Sequence, residues 1–265
     1  MAGRVNLFFS NLVTAYADGC RTHGFKAYAL KGGHPGVAKM VRQTDLYTSI
    51  HKAHRYALYT MAIQAGRTDY SEESSLERLN DLLAAFREQL RIHIEAEETF
   101  IHPLLSRRIP GGARDLEEEH RLHSEQFENL INHLEEIRAL PEDFERLGEI
   151  GLEHYRALNR FIAGYLAHLD REEEDIQPAL WRLATEDELL GALGGYLSGM
   201  RDITPEDAGY LLKIMVPAYD PDELRTVFER AEGAPKEARE MLYALTESML
   251  STKELAAVKK RFEER

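Results

Sequence analysis

The sequence predicts an all-α protein, an up-down-up-down four-helix bundle over residues 41–184 with a C-terminal helical appendage over 185–265. Three observations predict it. No stretch alternates with period two over a useful length, so no sheet is expected. From Thr44 to about Leu183 apolar residues recur at helical spacing, broken by short signals such as "PGG" at 110–112. Histidine-bearing helices also recur in the order A, B, A, B, and two such helix pairs pack naturally about a pseudo-two-fold axis.

Residues 1–40 form an N-terminal extension with few signals. A short amphipathic helix is expected around 5–18, and "KGGHPG" (31–36) reads as a loop because Gly-Gly and Pro-Gly break any periodicity. The first bundle helix runs from Asp45 to Ala65 and ends at Gly66. In "YSEESSLERL", Ser71 or Ser74 can cap a second helix that runs from about 75 to 107. A third is expected from about Ala113 to Ala139, and Pro141 opens a fourth that reaches about Leu183. Beyond Thr185 the helices become short and carry start signals: "TPED" from Thr204, "DPDE" from Asp220 and the capping box Ser251-x-x-Glu254. No histidine follows His168, so this segment reads as a helical appendage without metal chemistry, available to a protein partner.

Composition removes several function classes. The net charge of -13 argues against nucleic acid, since Arg107-Arg108 and Lys259-Lys260-Arg261 are the only basic clusters. No apolar run approaches the ~18 residues of a membrane helix. "NLFFSNLV" before "TAYADG" imitates a secretory leader, but Asn6, Ser10 and Asn11 interrupt it and only Arg4 supplies charge. Cys20 is the single cysteine, which excludes an internal disulfide and a thiolate-built iron–sulfur site and fits a reducing cytoplasm.

The informative residues are histidines and glutamates. "HIEAEETFIHPLL" (93–105) and "HLDREEEDIQPAL" (168–180) share His-x-x-x-Glu-Glu followed by Pro-x-Leu, and their histidines lie 75 residues apart. His51-Lys-Ala-His54 and His120-Arg-Leu-His123 form the alternating partners. Positions i and i+4 differ by about 40° on a helix, so His93 with Glu97, and His168 with Glu172, can serve one site. Glu98 and Glu173 lie about 140° from their histidines and suit hydrogen bonding to ligands, or solvent. His54 and His123 are candidates for further ligands or for supporting roles. The same faces are otherwise apolar, with Tyr47, Phe100, Phe127, Phe161 and Tyr165 expected to wall the pocket. Burying such carboxylates and imidazoles uncompensated would cost several kcal/mol each, on the order of the penalties for unpaired polar groups. Metal cations are the compensation that fits, and imidazole with carboxylate suits iron, manganese or zinc rather than calcium. Two carboxylates from opposite helices can bridge a pair of metals.

Three bundle histidines fall outside this geometry. His102 lies about 180° from His93 on an ideal helix, which places it on the outer face, with Gln177 as its counterpart. His133 lies off the His120 face. His154 shares the His168 face but sits about 21 Å along the helix, as a packed or end-of-bundle histidine. His23 and His34 receive no role.

The four stretches "IHKAHRYAL", "HIEAEETFIHPLL", "EEEHRLH" and "HLDREEEDIQPAL" resemble the hemerythrin-like (HHE cation-binding) family over about 45–182. The resemblance implies a four-helix bundle around two iron ions, a non-haem di-iron centre. It puts the family's ligands on His51, His93, Glu97, His120, His168 and Glu172. The oxygen carriers of the family space their third-helix pair His-x-x-x-His, whereas here position 124 is Ser124 and the second histidine is His123. Their fourth-helix spacing would select Glu173, while the four-residue spacing of the bacterial and iron-sensing branches selects Glu172. The activity implied is binding of dioxygen or nitric oxide, for sensing, storage or scavenging. The alternatives are an enzyme of peroxide decomposition or oxidative chemistry, with Tyr47 and Tyr165 as redox neighbours, and an iron-sensing regulatory protein. Iron comes from the resemblance; the spacing fits manganese or zinc equally.

Overall fold

The computed structural model describes residues 44–140, 144–199, 205–231 and 236–263, and no strand occurs among them. The expected helix at 5–18, the loop at 31–36, Cys20, His23, His34, Pro141 and Thr204 lie outside the described residues. Helix α1 spans Thr48–Arg67 and is started by Asp45, whose carboxylate accepts the backbone N–H groups of Tyr47 and Thr48, both at 3.0 Å. Helix α2 spans Glu73–Ala96. Its cap position is Glu72 rather than Ser71 or Ser74, because those hydroxyls donate to Asp69 and Glu72 respectively, each at 2.6 Å.

The second and fourth long rods are not continuous α-helices. In the second, a π-helical turn π1 (Glu97–Ile101) leads into α3 (His102–Arg108). In the fourth, α5 (Phe144–Arg171) passes through π2 (Glu172–Ile176) into α6 (Gln177–Leu183). The N–H of His102 reaches the Glu97 carbonyl and that of Gln177 reaches the Glu172 carbonyl, i to i−5 bonds in both copies. Pro103 and Pro178 account for the position: each lacks an N–H and crowds the carbonyl four residues back, and a widened turn relieves the clash. The third rod, α4 (Arg114–Arg138), follows a turn in which Gly111 adopts φ 73°.

Around the core, α1 packs on α2, α2 on α4, α4 on α5 and α5 on α1. The C-terminal segment contributes α7 (Glu186–Gly199), α8 (Pro205–Ala218), α9 (Pro221–Ala231), α10 (Lys236–Met249) and α11 (Thr252–Glu263). The expected capping box is present, with Ser251 and Glu254 each receiving the other's backbone N–H on its side chain. This segment packs against the bundle. Leu189, Leu193, Tyr196, Leu211, Leu212 and Ile214 are buried in the same hydrophobic core as the bundle. Helix α8 lies against α1 and α2, and α7 against π1. Polar ties reinforce it: the Ser49 hydroxyl bonds the Tyr219 hydroxyl at 2.8 Å, and Lys52 pairs with Glu223 at 2.7 Å.

The approach of α7 to π1 depends on Gly195. A Cβ there would stand 2.9 Å from Phe100 Cε1 and closer still to Cδ1. Gly195→Ala is therefore expected to destabilise the fold by about 1–3 kcal/mol, the usual cost of overpacking, seen as a lower urea midpoint; an unchanged midpoint contradicts this packing.

His154, as expected, is a packed histidine, fully buried. Its Nε2–H donates to the Leu130 carbonyl and its Nδ1 accepts from the Tyr70 hydroxyl, both at 3.1 Å. Burial pushes the imidazole down to about 4, so it stays neutral where an unfolded histidine would protonate. The unfolded chain alone takes up this proton below about pH 6.5, so stability should fall with pH, by up to about 2 kcal/mol at pH 5. His154→Gln is expected to flatten that decline. Melting temperatures of both chains between about pH 7 and pH 5 check this; parallel slopes would contradict it.

Candidate metal centre

Six side chains from the four rods meet in the core. His51 comes from α1, His93 from α2, Glu97 opens π1, His120 comes from α4, His168 from α5, and Glu172 opens π2. All are buried, and both glutamates are 0% exposed. His93 Nε2 lies 3.3 Å from Glu97, His120 Nε2 3.3 Å from Glu97, His51 Nε2 3.4 Å from Glu172 and His168 Nε2 3.4 Å from Glu172. The Nε2 atoms of His120 and His168 are 3.1 Å apart. Both oxygens of Glu97 and Glu172 and the Nε2 atoms of His51 and His93 are buried without a hydrogen-bond partner. Buried polar groups are normally satisfied, so a convergent orphaned set of nitrogens and carboxylate oxygens fits a cation.

Two overlapping groups have one ligand atom per residue within 4.8 Å of one another: His51, His93, Glu97 and Glu172; and Glu97, His102, His120 and Glu172. The two carboxylates belong to both. Their charge shifts the surrounding imidazoles. The carboxylates of Glu172, Glu173 and Glu97 outweigh burial and hold His51 well above its usual range, and Glu172 and Glu97 likewise raise His120 to about 10. Burial, reinforced by the neighbouring imidazoles of His54 and His51, pushes His93 well down.

The outward ring nitrogens are held as well. Nδ1 of His51 lies 2.9 Å from Glu173, that of His93 3.2 Å from the Tyr196 hydroxyl, that of His120 3.2 Å from Glu98 and that of His168 2.8 Å from Glu119. A carboxylate can only accept, so the Nδ1 atoms of His51, His120 and His168 carry protons and their Nε2 atoms are turned inward, the arrangement metal-bound histidines use. Arg55 donates to Glu173 at 2.6 Å, and Arg171 pairs with Glu119. Glu98 and Glu173 thus each contact the outward ring nitrogen of a histidine on another rod. Sequence reasoning missed Glu119 and Tyr196. Glu119 directly precedes His120 in "EEEH", but the histidine it supports is on another helix. Tyr196 comes from the segment expected to be free of metal chemistry, and no local signal marks it.

The structure corrects the placement of His102. Its side chain is 1% exposed, and its ring stacks on His120 with centroids 5.2 Å apart and planes at 12°. The outer-face expectation assumed an unbroken α-helix. The π1 bond absorbs one residue, so His102 follows Glu97 by an effective α-helical turn and faces inward. Gln177 is rotated inward by π2 in the same way, and there its side-chain oxygen accepts the Leu46 N–H at 2.7 Å. The same widening turns Phe100 away from the expected pocket wall: it is half-buried against Gly195 of α7.

Of the remaining candidates, His54 Nδ1 lies 2.9 Å from the Tyr165 hydroxyl, and its Nε2 is unpartnered. Burial pushes His54 down to about 3 and His123 to about 4, so both are neutral. Neither belongs to the two ligand groups. Phe161 stacks on Tyr165, and Phe127 packs on Phe161 one layer further out. Tyr47 and Tyr165 differ sharply. Tyr165 has its histidine partner, whereas the buried Tyr47 hydroxyl has none and is driven well up by burial and by the nearby Glu172 and Glu97 carboxylates.

A helical bundle with an orphaned, buried His/Glu cluster defines a cation-binding helical protein. The chain belongs to the hemerythrin HHE cation-binding domain family, whose sequence profile matches residues 45–180. No curated protein matches it. No described helix is long and apolar enough to cross a membrane.

Tyr196→Phe removes only the hydroxyl that orients His93. Affinity for a divalent transition-metal cation, measured by chelator competition, is expected to fall about 10-fold, the lower end for lost partners of metal ligands, with helicity unchanged. Wild-type affinity would mean that the contact has no bearing on the centre.

Proposed function

We propose that this centre holds two non-haem iron ions and binds dioxygen or nitric oxide, for sensing, storage or scavenging. The observation that carries the reading is the sharing of Glu97 and Glu172 between both ligand groups, with all four carboxylate oxygens otherwise unpartnered. Carboxylates so shared suit a bridged cation pair. His51, His93, His120 and His168 complete the donor set. Two ferrous ions there would supply reducing electrons and an exchangeable coordination position for a diatomic ligand. The chain's own residues do the rest. The buried layer of Phe86, Phe127, Phe161 and Tyr165 excludes water, and Glu173, Glu98, Glu119 and Tyr196 keep the imidazoles aimed inward.

A peroxide-decomposing enzyme is the second reading, and Tyr47 favours it. Its buried hydroxyl has no partner in the fold and lies close enough to both carboxylates to feel their charge. That hydroxyl can donate to a small oxygen-containing ligand or take part in proton transfer.

Anaerobic loading with ferrous iron, followed by air, separates the readings. A charge-transfer band that forms in air and disappears on degassing is expected for dioxygen binding. Irreversible conversion to a ferric form would sink that reading, and rapid oxygen evolution on adding hydrogen peroxide would support the enzyme.

A further inference from the structure

His102 is the least explained polar residue of the core. Neither of its ring nitrogens has a hydrogen-bond partner. The nearest acid, Glu117, lies 3.8 Å from Nδ1, beyond hydrogen-bonding reach, and is itself half exposed. An apolar residue would fill this place without leaving two polar atoms unsatisfied.

The surroundings of His102 say what could use a ring nitrogen. The π1 turn carries His102 to the inner face, one effective turn beyond Glu97. A ring nitrogen there lies within 4.8 Å of ligand atoms of Glu97, His120 and Glu172. The pseudo-symmetric position does not repeat this. Gln177 stands after π2 and is committed to the Leu46 backbone at 2.7 Å. The two halves of the centre therefore differ in donors although they match in backbone.

Resting on the di-metal reading above, we infer that His102 is a metal ligand, acting with His120 on the ion that Glu97 and Glu172 share with them. His168, whose Nε2 lies 3.1 Å from that of His120, belongs to the same side. One ion would then be held by three imidazoles and the other by His51 and His93.

The test is His102→Gln, since Gln177 shows that glutamine fits after a π turn in this fold. Both chains are titrated with ferrous iron anaerobically against a chelator and examined by Mössbauer spectroscopy. The wild type is expected to bind two irons with distinct quadrupole doublets. The variant is expected to hold one of them at least about 10-fold more weakly and to lose or shift one doublet. A variant that matches the wild type in affinity and spectrum overturns the assignment alone, whereas a wild-type chain that binds no iron overturns the di-metal reading with it. Should the variant fail to fold, nuclear magnetic resonance of the cobalt-loaded wild type decides: a hyperfine-shifted ring N–H from His102 is expected, and an unshifted His102 overturns the assignment.

Discussion

The rest of the structure depends on the negative charge of two glutamates, Glu97 and Glu172, held entirely away from water. An unpaired carboxylate in such a place is too costly to persist, so the surrounding helices must supply positive charge or admit it. They do so in concentric layers. Imidazole nitrogens face the carboxylates, and Glu173, Glu98, Glu119 and Tyr196 hold the far side of those rings. Arg55 and Arg171 then anchor two of the outer acids near the surface. Each layer compensates the one inside it, which is why the charged residues reach into a core otherwise made of aliphatic and aromatic side chains.

The π turns give this arrangement its particular shape. Both begin at the buried glutamate and end just before the proline of the repeated motif. A helix without that widening would send His102 and Gln177 to solvent. With it, one inward position per rod is added to the core, and the two copies use it differently: an unsatisfied imidazole in one, a backbone clamp on Leu46 in the other. An internal repeat in sequence has thus become an asymmetric site.

The C-terminal helices are part of the same construction. Tyr196 brings a hydroxyl to His93, Gly195 lets α7 approach π1, and α8 covers α1. A change in the centre that moves His93 or π1 must therefore be felt by α7. The segment that carries no histidine is physically joined to the buried His/Glu cluster.

Much of this was legible along the chain. Helical periodicity set the rods and their breaks to within a few residues, as with Thr48–Arg67 for an expected 45–65. The i,i+4 pairing of His93 with Glu97 and of His168 with Glu172 identified the buried cluster, because helix geometry makes those pairs a local property. Local rules failed where the outcome depended on distant chain. Ser71 and Ser74 were plausible caps until neighbouring acids engaged their hydroxyls. His102 was assigned outward because periodicity assumes a uniform helix, and one i to i−5 bond rotates everything after it. Glu119 and Tyr196 could not be read at all, since each supports a histidine on another element. The sequence by itself determined the helical class, the repeat and the inward carboxylates, which follow from spacing along single helices. Only the tertiary structure decided which imidazole nitrogens face inward, which tyrosine hydroxyl has no partner and what covers the site, because those depend on contacts between helices.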